Sequence, residues 1–247
     1  MKIALFAPCF VDQLYPGVAV AALRVLERLG IDVDVPGGAA CCGQAAANAG
    51  FERDGHRALR CVVDAFEGYE RVVVLSGSCA AHLRTHAFAV GPSGVRVAER
   101  TTEFCAFLHD EIGLDAVASL GATCSQRVAV HIGCHALRNL GLARPSEIQR
   151  PAFDKVRALL GTARGISFAE LTRSDECCGF GGTFAVLEPA ISAKMGRDRL
   201  RDYRAGGAEM IVSTDPSCLM HLGGIARRAG IGLPMRHVAE ILAGEAR

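Results

Sequence analysis

Eleven cysteines stand in this chain of 247 residues, and eight of them fall into two runs of one design. Cys9, then Cys41-Cys42-Gly43, then Cys79 with His82 three residues on, are followed in the same order by Cys134, Cys177-Cys178-Gly179, and Cys218 with His221 three residues on. The count is odd and the chain is far longer than the small scaffolds that depend on disulfides. In a reducing compartment, four gathered thiols point instead to a soft metal or to redox chemistry.

The two adjacent pairs narrow that chemistry. Neighbouring side chains diverge along an extended backbone, so a Cys-Cys pair is suited to two metal atoms of one polynuclear iron–sulfur centre. A mononuclear zinc site usually takes its ligands from C-x₂₋₄-C knuckles, which the chain lacks. Structural zinc and two buried, inert thiols stay open as alternatives. Gly43 and Gly179 let the backbone turn and bring N–H groups to the sulfurs, and Gly181 and Gly182 extend that freedom. His82 and His221 read as further ligands, as hydrogen-bond donors to the centre, or as surface residues. His135 directly follows Cys134 and is read as a neighbour of a centre, whereas His131 is read as an ordinary strand residue. Cys61, Cys105 and Cys124 are off the grid, and the first two read as core fillers of helices.

Four segments share a pattern that would position these cysteines: KIALFAPC (2–9), RVVVLSGSC (71–79), RVAVHIGC (127–134) and EMIVSTDPSC (209–218). Each is an apolar strand, a turn residue, and then cysteine. Helical periodicity marks 17–29, with Val20, Leu23 and Leu26 on one face and Gly30 as a stop, and then 52–66, 101–112, 151–160 and 186–204. Residues 31–35 and 95–98 read as further short strands. The alternation predicts an α/β fold: two similar Rossmann-like halves with mostly parallel sheets, related by internal duplication and a pseudo-two-fold axis. The boundary is drawn near 124, giving domains 1–124 and 125–247. Ligands of open α/β sheets sit beyond the carboxyl ends of the strands, which is where Cys9, Cys79, Cys134 and Cys218 fall. Helices beginning near Cys79 and Cys218 would aim partial positive charge at a net-negative cluster.

Composition excludes other classes. With 27 Lys and Arg against 26 Asp and Glu, and no basic block, neither nucleic acid nor an anionic membrane surface is an expected partner. The opening MKIALFAPCFVDQLYPG is interrupted by Pro8, Asp12 and Pro16, and no apolar run reaches the length of a spanning helix, so a cytoplasmic protein is expected. No G-x-G-x-x-G occurs, which leaves no expected flavin or nicotinamide site.

The doubled grid resembles the cysteine-rich CCG domain, the duplicated module of the heterodisulfide reductase B subunit and of the glycolate oxidase iron–sulfur subunit. Its length, its lack of a ferredoxin-type cysteine run, and openings such as KIALFAPCFVDQLYP and VLSGSCAAHLR are most similar to the free-standing branch of that family that serves lactate utilisation. The resemblance implies one subunit of a cytoplasmic three-protein system oxidising L-lactate to pyruvate, a component of an oxidoreductase complex with a ferredoxin-type iron–sulfur protein among its partners. It implies two [4Fe–4S] clusters, cubane or noncubane, one held by Cys9, Cys41, Cys42 and Cys79 and the other by Cys134, Cys177, Cys178 and Cys218. The heterodisulfide reductase pattern ends C-x-x-C, while this chain has His82 and His221 at that place. Four cysteines suit a cubane, and a noncubane form would draw on histidine or another group. A thiol/disulfide redox catalyst and a zinc-binding structural module are the two rival readings.

Overall fold

A computed structural model describes residues 2–245. Eight short strands form two sheets of four, all pairings parallel. The first contains β1 (Ile3–Phe6), β2 (Val33–Asp34), β3 (Arg71–Val74) and β4 (Thr101–Glu103), in the order β2-β1-β3-β4. The second contains β5 (Arg127–His131), β6 (Ser167–Phe168), β7 (Met210–Ser213) and β8 (Met235–His237), in the matching order β6-β5-β7-β8. Connections that lead first to one side and then to the other open a crevice between β1 and β3, and between β5 and β7. The expected α/β duplication is therefore present. Among the described residues no helix is long and apolar enough to cross a membrane.

The strands are apolar on both faces because both faces are covered. Ile3 and Leu5 of β1 join Val128 and Val130 of β5 in one continuous core, so the two sheets share their largest hydrophobic cluster. Ala4 and Phe6 face the other way, toward Leu59, Val62, Val63 and Phe66 of the Glu52–Phe66 helix. Ala129 likewise turns toward Leu200 and Tyr203 of the Pro189–Ala205 helix.

Three sequence expectations need correction. Residues 95–98 are not a strand but lie in the Pro92–Arg100 helix, with Pro at its first position. The Val-Arg-Val alternation reflects one buried residue, Val97, and the exposed Val95. The fourth strand follows at Thr101–Glu103, displacing the start of the helix expected over 101–112. In the Pro16–Arg28 helix the buried face is Val18, Ala21, Ala22, Val25 and Leu26, while Val20 is exposed.

β4 and β8 end in matching buried residues, Glu103 and His237, each capping the helix that follows. Glu103 Oε2 accepts from Cys105 N at 2.7 Å and Ala106 N at 3.0 Å. Burial nevertheless pushes its carboxyl up to about 8, and pushes His237, along with His82 and His131, down to about 4. Between the ordinary carboxyl value and pH 8, the folded chain keeps a proton at Glu103 that the unfolded chain releases, so stability falls as pH rises. Between about pH 4 and the ordinary imidazole value the unfolded chain binds protons that the buried histidines refuse, so stability rises. Relative to a Glu103→Gln variant, the wild-type chain is thus expected to lose stability toward pH 8, read from thermal midpoints, by on the order of 1.4 kcal/mol per pH unit at most. Glu103→Gln, which keeps the cap acceptor, should flatten the decline; an unchanged profile in that variant would contradict the assignment.

Candidate metal centre

The cysteines sit where short helices begin. Cys9 and Cys134 open the helices Cys9–Leu14 and Cys134–Arg138 directly after β1 and β5. Cys79 and Cys218 lie in the first turns of Gly77–His86 and Pro216–Arg228, after β3 and β7. The Cys-Cys-Gly loops reach the same edge. In the first, Gly43 has φ 86° and its missing Cβ would lie 2.5 Å from Gly55 O. In the second, Gly179 has φ 91° and a Cβ there would lie 2.7 Å from Ser192 O. Only glycine meets both demands, and the turn it permits aims backbone N–H groups at sulfur. Gly43 N donates to Cys41 Sγ at 3.4 Å, Gly179 N to Cys177 Sγ at 3.3 Å, and Phe180 N to Cys178 Sγ at 3.4 Å.

Each half brings its four sulfurs together. Cys42 Sγ donates to Cys79 Sγ at 3.1 Å, and Cys178 Sγ to Cys218 Sγ at the same distance. Cys41 is in hydrogen-bond contact with the free thiols of both Cys42 and Cys9, and Cys177 with those of both Cys134 and Cys178. The adjacent pairs therefore converge more closely than extended geometry suggests. Within each set the thiols oppose one another. Hydrogen bonds from their neighbours hold Cys41 and Cys177 far below an ordinary thiol, while bonds to those same residues and burial push Cys9 and Cys134 far above it. Four such sulfurs can all lose their protons only where a cationic group replaces them. Soft donors, N–H groups on sulfur and four helix starts fit a thiophilic metal group.

The two sets face a single cavity of about 110 Å³, lined by all eight of these cysteines. Phe10 and Phe180, one from each half, meet edge to face across it with centroids 5.6 Å apart. The halves are fastened beside it by Asp215. Its Oδ2 accepts from Ser78 N at 2.9 Å and Ser76 Oγ at 3.3 Å in the first half, while Oδ1 accepts from Ser217 N at 3.2 Å and Ser217 Oγ at 2.7 Å in its own. One carboxylate thus caps two helices. Gly77 allows the close approach, since a Cβ there would lie 2.5 Å from Ala136 Cβ.

The histidines separate into groups. His135 lines the cavity, its Nδ1 3.6 Å from Cys134 Sγ and its Nε2 3.4 Å from Gln44 Nε2 of the other half. His82 is buried and stacks on His86 at 4.4 Å, and His221 Nε2 lies 3.3 Å from Ser192 Oγ. Neither of these two is among the cavity-lining residues. His131, read from sequence as an ordinary strand residue, is instead a neighbour of the second set: a ring nitrogen and the Cys178 and Cys218 sulfurs lie within 4.8 Å of one another. Strand parity could have found it, because His131 shares the face of Ala129, which packs toward Cys178 and Cys218. Cys105 and Cys124 are buried away from the cavity, and Cys61, expected in the core, is exposed on the outer side of its helix.

The model of the CCG cysteine-rich domain matches twice, over residues 3–84 and 128–223. Lactate utilization protein A of Oceanobacillus iheyensis is 36% identical over 98% of this chain and 96% of its own length. Its counterpart from Bacillus subtilis is 35% identical over 98% of this chain and 99% of its own, and that from Shouchella clausii 36% over 98% of each. The chain belongs to the family of cysteine-rich CCG-domain proteins that includes the lactate utilization A proteins.

Proposed function

We propose that this chain is an iron–sulfur electron-transfer subunit of a system that oxidises L-lactate or a close 2-hydroxy acid. One observation carries the reading: two four-sulfur sets, built alike, face one cavity. Domains 1–124 and 125–247 would each hold a [4Fe–4S] cluster, through Cys9, Cys41, Cys42 and Cys79 and through Cys134, Cys177, Cys178 and Cys218. Such clusters, when bound, accept and release single electrons. The chain's own part is to ligate, to donate N–H groups to sulfur from the glycine turns, and to limit water with Phe10 and Phe180. His135 stands beside the cavity as a polar neighbour, while His82 and His221 support their helices from outside it.

The names of the relatives support the lactate assignment, and partner subunits, a ferredoxin-type iron–sulfur protein among them, would carry the electrons onward. Exposed apolar side chains after the GFGG loop, Val186 and Leu187, offer such a partner a surface. Full-length protein purified without oxygen is expected to carry about eight iron and about eight acid-labile sulfide per chain and to give cluster EPR signals on reduction. It should show no turnover in a viologen-driven disulfide reduction assay, in contrast to a thiol/disulfide catalyst.

A zinc reading has one observation in its favour, the compactness of the second set with His131 close to two sulfurs. Zinc without acid-labile sulfide in the purified protein would establish it and overturn the electron-transfer reading.

A further inference from the structure

Beneath the two sulfur sets the halves differ at three matching positions. Phe6 closes β1 and packs on Phe66 with ring centroids 5.3 Å apart; His131 closes β5 and meets Tyr203 with centroids 6.3 Å apart. Val62 stands four residues before Phe66, as Arg199 stands four before Tyr203. All six side chains are buried, each at 1% exposure or less. Hydrocarbon under the first set is thus replaced by imidazole, guanidinium and phenol under the second.

That replacement leaves polar atoms waiting. His131 Nε2, Arg199 Nε and Arg199 Nη2 have no hydrogen-bond partner among the described residues. Buried polar atoms are rarely left unpaired, so three in one place call for a partner. The Tyr203 hydroxyl and His131 Nδ1 are 2.7 Å apart. If the hydroxyl donates, both partners are satisfied and the ring proton sits on Nε2. The reverse assignment would leave both the hydroxyl hydrogen and the Nε2 lone pair idle. The first arrangement leaves a single N–H donor on a ring that lies beside Cys178 and Cys218. The Arg199 guanidinium lies over the Tyr203 ring at 4.5 Å and is tied at one nitrogen to Asp202 Oδ2 at 3.1 Å.

We infer that His131, oriented by Tyr203 and backed by the Arg199 charge, donates a hydrogen bond to sulfur at the second metal centre and sets its reduction potential above that of the first. The inference rests on the electron-transfer reading. Hydrogen bonds and positive charge near cluster sulfur favour the reduced, more negative state, so a site that has them accepts an electron first. His131 is accordingly a positioning and tuning residue rather than a ligand.

The test is an EPR-monitored redox titration of full-length protein prepared without oxygen, with dithionite as the electron donor and mediator dyes, and with iron and sulfide counted alongside. Wild type is expected to show two separated midpoints. His131→Phe, which copies the residue the first half already uses, should lower the higher midpoint, leave the other in place, and keep the full iron content. Tyr203→Phe should shift the same midpoint in the same direction by less, and Phe6→His should raise the lower one. Unchanged midpoints in His131→Phe, with both clusters present, would overturn this inference alone. Loss of half the iron in that variant would overturn it in favour of direct ligation by His131. Wild-type protein without iron or sulfide would instead remove the reading on which it rests.

Discussion

Cys42→Ser is expected to remove half of the iron and acid-labile sulfide of the purified protein, and Cys178→Ser to remove the other half. Both sulfurs are buried, at 3% and 2% exposure, and each sits midway in a chain of sulfur contacts, between the neighbouring cysteine of its pair and the helix-borne Cys79 or Cys218. A serine hydroxyl keeps the hydrogen bond but is a harder donor with a shorter reach, and it does not replace thiolate toward iron. Each half has its own set, so one substitution should leave the other set intact: iron falls from about eight to about four per chain in either variant and toward zero in the double variant. Cys61→Ser, at an exposed thiol outside the cavity, serves as the control and should leave the count unchanged. Full iron and sulfide in both single variants would mean that the ligands lie elsewhere.

The second large effect concerns Asp215. Asp215→Ala removes acceptors from Ser76 Oγ, Ser78 N, Ser217 N and Ser217 Oγ together, at a site only 1% exposed. Lost caps and orphaned buried donors of this kind add to roughly 3 kcal/mol. For a chain of this length that corresponds to a fall of roughly 6–12 °C in thermal midpoint. Asp215→Asn should recover about half of the loss, because its one amide oxygen can serve only one of the two sets of donors while its NH₂ meets the backbone N–H of the other. A melting point within a degree or two of wild type in Asp215→Ala would show that the shared core, not this carboxylate, holds the halves together.

Much of the architecture was legible in the sequence because it rests on short-range rules. Four apolar runs each ending in cysteine give strands that deliver thiols to a sheet edge, and the glycine of each Cys-Cys-Gly loop announces a turn that other residues resist. What escaped was set by tertiary packing. Residues 95–98 alternate like a strand, but Pro92 starts a helix and Gly94 lets it press against Ala87, where a Cβ would come within 1.9 Å of a carbonyl oxygen. Cys61 has the hydrophobicity of a core residue yet falls on the outer face of a helix whose inner face is taken by Leu59, Val62, Val63 and Phe66. His131 reads as an ordinary strand residue because strand parity gives only its face and not what it meets there; its partners Tyr203 and Arg199 arrive from a helix about 70 residues later.

Asp215 also bears on how such a chain could arise. It and Ser76 occupy corresponding places in the two repeats, and they touch each other. An ancestral homodimer would have been obliged to bring like to like at that spot, either two mutually repelling carboxylates or two hydroxyls too short to reach across. Fusion into a single polypeptide lifted that obligation, and one copy could become the acceptor while the other kept the donor.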